Sequence, residues 1–167
     1  MEIGLSLGAN LGNRLLQLQE AKKQIVATKG IAFVAKSSVY ETEPVGVSPQ
    51  DSNLLFLNAI LVIETSLPLS ELFVGFRRIE CQLGRAHQPE PNAPRPMDID
   101  VIYADKLRAN EGGVIIPHPR WAGRRFVVQP LNDVRPDLII PGQPGTVAEV
   151  LSRLPDEHKV MLFAKEW

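Results

Sequence analysis

Apolar positions recur with two different periods along this chain, and each change of period marks a boundary between predicted elements. Strict alternation at the start predicts a strand with Ile3, Leu5 and Leu7 facing inward. A helical period and two further strand-like runs follow. The expected elements are a strand at 2–7, a helix at 14–28 and strands at 31–40 and 54–65. In the last of these, we expect one face to carry Leu55, Leu57, Ala59, Leu61 and Ile63.

A second helix is predicted to begin at Pro68 and to end before Gly84, because glycine favours the conformation that follows a helix. Its apolar stripe consists of Leu69, Leu72, Phe73, Phe76, Ile79 and Leu83. Residues 97–103 then predict another strand. The order β-α-β-β-α-β predicts an α+β fold, in which helices pack on one face of a mostly antiparallel sheet.

The remainder of the chain predicts only short elements. A loop with two prolines spans residues 115–125, and a short helix or turn follows at 126–131. Thr146 and Glu149 form a capping-box pattern, which opens a short helix that extends toward Leu154.

The length favours a single domain over residues 1–167. No apolar run approaches the roughly 20 residues of a membrane span. Cys81 is the only cysteine and falls in the predicted second helix, where we expect a buried thiol. Because the chain has neither paired cysteines nor a signal peptide, we expect a cytoplasmic protein, and we expect it to be a monomer.

The distribution of charge is more informative than its sum. A formal net charge of −1 argues against a partner that presents a nucleic-acid backbone. Eight of the eleven arginines nevertheless lie between Arg77 and Arg125. This concentration of guanidinium groups in a nearly neutral protein favours a small polyanion as the ligand.

The segment around Asp98 and Asp100 carries the clearest candidate chemistry. Side chains at i and i+2 of a strand share a face, so the two carboxylates are expected about 6.5–7 Å apart. Mg²⁺ takes carboxylate oxygens and usually brings substrate phosphates with it. Taken alone, an Asp-x-Asp pair on a strand more often forms a solvated face. Pro94 and Pro96, which stiffen the chain around Arg95, favour the metal–phosphate interpretation.

Several other candidates have a structural alternative. Asn58 interrupts an apolar run, and a buried asparagine must find hydrogen-bond partners. Glu80 lies at the edge of an apolar helix stripe and is equally compatible with an ion pair to Arg77. His118, between two prolines, fits a turn as well as a ligand contact. Phe56 and Phe126 are also compatible with core positions, and the Arg124–Arg125 pair is also compatible with a solvated surface.

Taken together, these segments resemble the 6-hydroxymethyl-7,8-dihydropterin pyrophosphokinases of folate biosynthesis. The resemblance rests on residues 8–12, 40–46, 56–59, 80–85, 93–102, 117–119 and 124–126, which occur in family order and with family-like spacing. It implies a ferredoxin-like βαββαβ core. It also implies transfer of a diphosphate from ATP to the hydroxymethyl group of the pterin, with release of AMP.

The resemblance further implies a role for individual residues. Asp98 and Asp100 would hold two Mg²⁺ ions that bridge the ATP phosphates, and Arg85 and Arg95 would contact the triphosphate as catalytic groups. The other ATP contacts would come from Glu80, Val101, His118 and Arg124. The pterin pocket would consist of Thr42, Val45, Phe56, Asn58 and Phe126.

The chain departs from the family pattern in one loop. The family usually carries a basic residue and often an aromatic residue just before Pro94, whereas this chain has Pro91 and Asn92 there. Fewer cations in this loop predict weaker contacts when it closes over the site. Two alternatives stay open from the residues alone: another Mg²⁺-dependent phosphoryl or nucleotidyl transferase, and a ferredoxin-like module that binds ligands without turnover.

Overall fold

The computed structural model describes residues 1–44, 53–85, 96–111, 113–156 and 159–167. Within these ranges the helices are α1 (Arg14–Ala27), α2 (Leu69–Gln82), α3 (Arg125–Val134) and α4 (Val147–Arg153). The strands are β1 (Glu2–Ala9), β2 (Ile31–Lys36), β3 (Val39–Thr42), β4 (Phe56–Thr65), β5 (Asp98–Ala104), β6 (Ala109–Glu111), β7 (Val114–Ile116) and β8 (Val160–Ala164).

The main sheet has the strand order β5-β1-β4-β3-β8, and β2 pairs with β4 on the same side as β3. The pairs that build it are antiparallel. β1 and β4 are therefore central, and the helices α1 and α2 connect strands that are not neighbours. This arrangement confirms the predicted α+β class and the ferredoxin-like βαββαβ core. β6 and β7 form a separate hairpin.

Both faces of the sheet are covered, whereas the sequence predicted helices on one face. The odd-numbered residues of β1 and β4 pack against α1 and α2, as expected. The even-numbered residues Ile60 and Val62 pack against α3 and α4 in a second core cluster. β4 is apolar on both faces because both faces are covered, and its apolar run does not by itself identify the elements that form the second cover.

Two strand predictions need correction. The run at 31–40 is divided into β2 and β3, because Ser37 leaves the strand and exchanges two hydrogen bonds with Ile60 of β4. The Ser37 N–H donates to the Ile60 oxygen at 2.9 Å, and Ser37 Oγ accepts from the Ile60 N–H at 2.8 Å. Leu55, predicted on the buried face of β4, precedes that strand and is exposed.

The helix boundaries follow the sequence signals closely. The Asn13 side chain accepts the N–H of Leu16 and caps α1. Gly84, just beyond α2, has φ +98°, as expected of a residue that ends a helix. Both hydrogen bonds of the predicted capping box between Thr146 and Glu149 are present at α4.

β8 is an element that the sequence did not predict. It pairs with β3 at the edge of the sheet, and the chain then returns to the core at Trp167. Cys81 lies in α2 as predicted but is partly exposed, so the expectation of a buried thiol is wrong. Among the described residues, no helix is long and apolar enough to cross a membrane.

Candidate active site

The site lies where β5 begins, at an edge of the main sheet. Asp98 and Asp100 are both half-buried and lie opposite Gly8 and Ser6 of β1, respectively. Two residues apart on one strand, their side chains project from the same face, as predicted. That face is the one covered further along the sheet by α3 and α4.

At the level of Asp98, one row of directly opposite residues runs across four strands. Tyr40 is opposite Asn58, Asn58 is opposite Gly8, and Gly8 is opposite Asp98. Directly opposite residues of antiparallel strands share a face. Asn58 and Asp98 therefore lie on one face, two strand spacings or about 9.5 Å apart, with only a glycine between them.

Arg85 joins the two carboxylates that flank the start of β5. Its Nη1 donates to Asp98 Oδ1 at 2.6 Å and also to the Glu80 carboxylate. Glu80 is buried on the last turns of α2 and accepts the outward-facing N–H of Ile99 at 2.8 Å. The end of α2 is thereby joined to the edge of the sheet, and a cation lies against Asp98.

Burial dominates the ionisation of Glu80. It raises the pKa of this carboxyl to about 7, although the Ile99 N–H and the Arg85 charge act in the opposite direction. Burial also acts to lower the pKa of Arg85, but the charges of Asp98 and Glu80 outweigh it, and the pKa of Arg85 is raised. Arg85 thus carries its positive charge throughout the physiological pH range.

A cleft of about 640 Å³ opens beside this cluster, between α2 and the outer edge of β5. Glu80, Arg85, Asp98, Asp100 and Val101 all line it, so the structure brings these predicted site residues together. The remaining walls are largely apolar and come from the exposed side of α2 and from Val114. A flat apolar group with an anionic tail would match this combination of walls and charges.

His118 follows β7 and is held against β5. Its N–H donates to the Ile102 oxygen at 2.9 Å, and its Nδ1 accepts the Arg120 N–H at 3.1 Å. Burial lowers the pKa of His118 to about 4, the charges of Arg124 and Arg120 act in the same direction, and that of Asp98 opposes them. At neutral pH the ring is uncharged, and because Nδ1 accepts, the proton is on Nε2.

Arg124 and Phe126 lie beside each other at the start of α3. The Arg124 guanidinium carbon is 5.6 Å from the centroid of the Phe126 ring, within the range of a cation–π contact. Phe126 is half-buried and packs against the second core cluster. It therefore approaches the sheet from the same side as Asn58.

Thr42, Phe56 and Asn58 form the corner of the sheet that is next to this row. Thr42 is opposite Phe56, and Asn58 Nδ2 donates to Thr42 Oγ1 at 2.8 Å. Both Thr42 and Asn58 are buried, and Phe56 is half-buried. The expectation that the polar residue in this apolar run must have a partner is confirmed.

Two expected site residues, Val45 and Arg95, lie outside the described ranges, as do Pro91 and Asn92 of the loop that departs from the family pattern. Their predicted roles stay predictions.

Sequence reasoning missed two connections within the site, one through Gly8 and one between Glu80 and Arg85. Gly8 separates Asn58 from Asp98, but a glycine in a turn-like motif gives no sign of its cross-strand neighbours. Glu80 pairs with Arg85 rather than with Arg77, the partner considered from the sequence. The helix end at Gly84 was the available signal, because it turns the chain so that Arg85 lies back over Glu80.

The carboxylates of Asp98 and Asp100 form a donor set that suits magnesium. Among the described residues, no group of three or more His, Cys, Asp or Glu side chains is arranged to hold a metal ion. Two carboxylates on one face provide the partial, oxygen-only set that Mg²⁺ commonly uses when a nucleotide supplies further oxygens.

Comparison with known families gives a consistent result. The family 7,8-dihydro-6-hydroxymethylpterin-pyrophosphokinase (HPPK) matches residues 4–136. A curated relative from Methylorubrum extorquens, 2-amino-4-hydroxy-6-hydroxymethyldihydropteridine pyrophosphokinase, is 37% identical over 90% of this chain and 91% of its own length. The protein of the same name from Bacillus subtilis is 34% identical, over 78% of this chain and 75% of its own length.

Other relatives are much longer than this chain. The folic acid synthesis protein fol1 of Pneumocystis carinii is 34% identical over 91% of this chain, which spans only 20% of that protein. A solved structure of Plasmodium falciparum HPPK-DHPS superposes with a TM-score of 0.65 at 16% identity, over 91% of this chain and 43% of that chain. This structural similarity supports the fold described above.

The match over residues 4–136 and the identity to curated relatives show that this chain belongs to the HPPK family.

Proposed function

We propose that this protein transfers the diphosphate of ATP to the hydroxyl group of 6-hydroxymethyl-7,8-dihydropterin and releases AMP, with Mg²⁺ bound at Asp98 and Asp100. Membership of the HPPK family makes it an ATP-dependent pyrophosphokinase of folate biosynthesis. The observation that carries the proposal is the cross-strand row, which aligns Asn58 and Asp98 on one face with only Gly8 between them.

The row supports this reaction because it relates two ligand sites by a fixed distance. A pterin whose ring edge bonds to Asn58 would extend its hydroxymethyl arm over Gly8, toward the carboxylates that hold the phosphates. The roughly 9.5 Å between the two strands is comparable to a two-ring heterocycle with a one-carbon arm. Transfer between two bound substrates depends on such positioning more than on covalent help.

The carboxylates are the groups of this chain that would hold the metal. Bound Mg²⁺ would neutralise charge on the phosphates and orient them. Asp98 and Asp100 face the same way and remain partly exposed, so both can offer oxygens to ions that also bind the nucleotide. The proposal of two ions follows the resemblance to the family and the four or so negative charges that ATP brings.

The arginines and His118 would bind the phosphate oxygens. Arg85 donates a hydrogen bond to Asp98 and stays charged, so it can also donate to a phosphate oxygen placed beside Asp98. His118 would donate from Nε2 as a neutral ring, and Arg124 would add charge from the start of α3. Arg95 is proposed as a further phosphate contact from the resemblance alone.

The nucleoside would occupy the cleft between α2 and β5. Its largely apolar walls suit a base, and Glu80 and Val101 line it close to the phosphate-binding cluster. The pterin pocket would take its amide contact from Asn58, with Thr42 orienting that amide through the 2.8 Å hydrogen bond. Phe56 and Phe126 are proposed as the aromatic faces, and Val45 as a further contact.

Product identification tests the reaction directly. The protein is incubated with ATP, Mg²⁺ and 6-hydroxymethyl-7,8-dihydropterin, and the nucleotides are separated by chromatography. We expect AMP and a pterin diphosphate in equal amounts. ADP would instead indicate single phosphoryl transfer by another class of transferase, and no pterin-dependent product would indicate a binding module without turnover.

The Asp98→Asn variant tests the metal role. It keeps the size of the side chain but removes the charge that a divalent cation requires, so we expect loss of Mg²⁺-dependent turnover by a factor of at least about 10². Binding of Mn²⁺ in the presence of ATP, followed by electron paramagnetic resonance, should weaken in parallel.

The matched control is Asp105→Asn, just beyond the other end of β5. Asp105 accepts the N–H of Glu2 through one oxygen and has φ +44°, a conformation that asparagine adopts readily. This variant should keep its activity. Near-normal turnover of Asp98→Asn would remove Asp98 from the metal site.

A further inference from the structure

Arg14 connects three segments that lie next to the proposed pterin pocket. It is the first residue of α1, and its Nη1 donates to the Leu55 oxygen at 2.9 Å. Its Nη2 donates to Glu41 Oε2 at 2.7 Å, and its guanidinium carbon lies 5.9 Å from the centroid of the Phe163 ring on β8. One side chain thus ties α1 to β3, to the segment before β4, and to β8.

The two hydrogen-bonded partners are sequence neighbours of pocket residues. Glu41 precedes Thr42, and Leu55 precedes Phe56. Thr42 and Phe56 are themselves opposite each other in the sheet. Because neighbouring residues of a strand point to opposite faces, Glu41 faces α1 while Thr42 faces the pocket.

Thr42 and Phe56 also form the last residue pair of the ladder between β3 and β4. Pairing runs from Tyr40–Asn58 through Glu41–Leu57 to Thr42–Phe56, and β4 begins at Phe56. The end of a two-strand ladder has neighbours on one side only, and it separates more easily than the interior. A contact that bridges both strands at this point restrains their separation.

We propose that Arg14 is a positioning residue for the pterin site: by bridging Glu41 and the Leu55 carbonyl, it fixes the spacing of Thr42 and Phe56 on the opposite face of the sheet. The proposal rests on the proposed function, which makes these two residues part of the pterin pocket. The nucleotide site is at the other side of the row, beyond Gly8, and is expected to be insensitive to Arg14.

The chemistry of arginine suits this role. Its planar fork presents several N–H groups in fixed directions, so one side chain can bind a carboxylate and a carbonyl at once. Lysine, a single charge on a flexible chain, would not hold both acceptors with the same geometry. The Arg14 and Glu41 side chains are 25% and 27% exposed, and pairs of this kind contribute little to global stability. The effect of removing the bridge is therefore expected mainly on the pocket.

The test compares Arg14→Met with the wild-type protein. We measure Kd for 6-hydroxymethyl-7,8-dihydropterin by fluorescence titration in the presence of a non-hydrolysable ATP analogue, Kd for that analogue, and KM and kcat from AMP release. We expect the pterin Kd and KM to rise between about threefold and tenfold, as one or two hydrogen bonds would give. The analogue Kd and kcat at saturation should stay within about twofold of the wild-type values.

Arg135→Met is a matched control. Arg135 Nη2 forms an ion pair with Glu2 at the same 2.7 Å, with side chains 26% and 31% exposed, but at the opposite end of β1. It should lower the melting temperature about as much as Arg14→Met and leave the pterin Kd unchanged. Arg14→Lys should give an intermediate pterin Kd, and it also provides a folded variant if Arg14→Met is unstable.

Asn58→Ala separates failure of this proposal from failure of the proposed function. If Asn58→Ala weakens pterin binding while Arg14→Met behaves like Arg135→Met, Arg14 has no positioning role. Equal weakening of both ligands by Arg14→Met would also overturn the proposal, because it would indicate a general structural effect. If Asn58→Ala leaves pterin binding intact, the pocket is wrongly assigned, and the role of Arg14 is rejected with it.

Discussion

At the scale of single residues, Gly8 leaves little room for a side chain. A Cβ atom added to it would lie 3.3 Å from Asn58 Oδ1, closer than an ordinary van der Waals contact. The Asn58 amide cannot turn away freely, because its Nδ2 donates to Thr42. The position of the Asn58 amide therefore depends on the absence of a side chain at Gly8.

Gly8→Ala should weaken pterin binding by displacing the Asn58 amide. We expect the pterin KM to rise several-fold, with little change in the KM for ATP, in steady-state assays of AMP release. Gly75→Ala is the control, since a Cβ there meets nothing within 4 Å. It should leave both KM values unchanged and stabilise α2 by about 0.5–1 kcal/mol. An unchanged pterin KM in Gly8→Ala would mean that the amide can move without cost.

His118 gives a prediction that depends on pH. Its imidazole is expected to titrate near pH 4 in the folded protein, which NMR can follow and His118→Gln can assign. In the unfolded chain the group titrates near 6.5, so the unfolded state binds the proton first as the pH falls. His118 should therefore not affect stability above pH 6.5, and it should destabilise the fold increasingly between 6.5 and about 4. A midpoint near 6.5 in the folded protein would contradict the burial argument.

At the scale of elements, the break between β2 and β3 illustrates what a pattern cannot reveal. Residues 31–40 contain no proline or glycine at the break, so the sequence predicts one strand. The break depends on distant partners: Ile60 pairs with Ser37 on one side, and the Trp167 indole N–H donates to the Ser37 oxygen at 2.8 Å on the other. Helix boundaries were predictable because their signals, such as Gly84 and the capping box of Thr146 and Glu149, are local.

Trp167 should accordingly contribute strongly to stability. It is buried in the first core cluster and supplies the partner for the Ser37 carbonyl. We expect Trp167→Phe to cost about 1–3 kcal/mol, because a buried carbonyl loses its donor, and Trp167→Ala to cost about 3–5 kcal/mol. Urea unfolding measures both values.

The control for Trp167 is Met161→Ala on the exposed edge strand β8, which should change the free energy of unfolding by less than about 0.5 kcal/mol. Similar losses for Trp167→Phe and Met161→Ala would show that the indole hydrogen bond is unimportant.

At the scale of the whole molecule, the sequence predicted the order of the elements along the chain better than the elements that cover the sheet. The carboxylates on β5 and the polar residue in β4 could be identified because each breaks the pattern of its own strand. Their alignment through Gly8 could not, since it depends on the register of three strands. The second cover, formed by α3 and α4, was missed because the apolar run of β4 is typical of a strand buried on both faces but does not show which elements cover it.

The small residues of β1 also limit how this site can change. Between the two ligand regions, β1 presents only Ser6 and Gly8 on the face that carries the site, so the surface there is mostly peptide backbone. An inhibitor that lies across this strip would contact atoms common to all amino acids. Resistance by adding a side chain at Gly8 would obstruct the natural substrate along with the inhibitor, which makes the strip an attractive target for compounds that join the two regions.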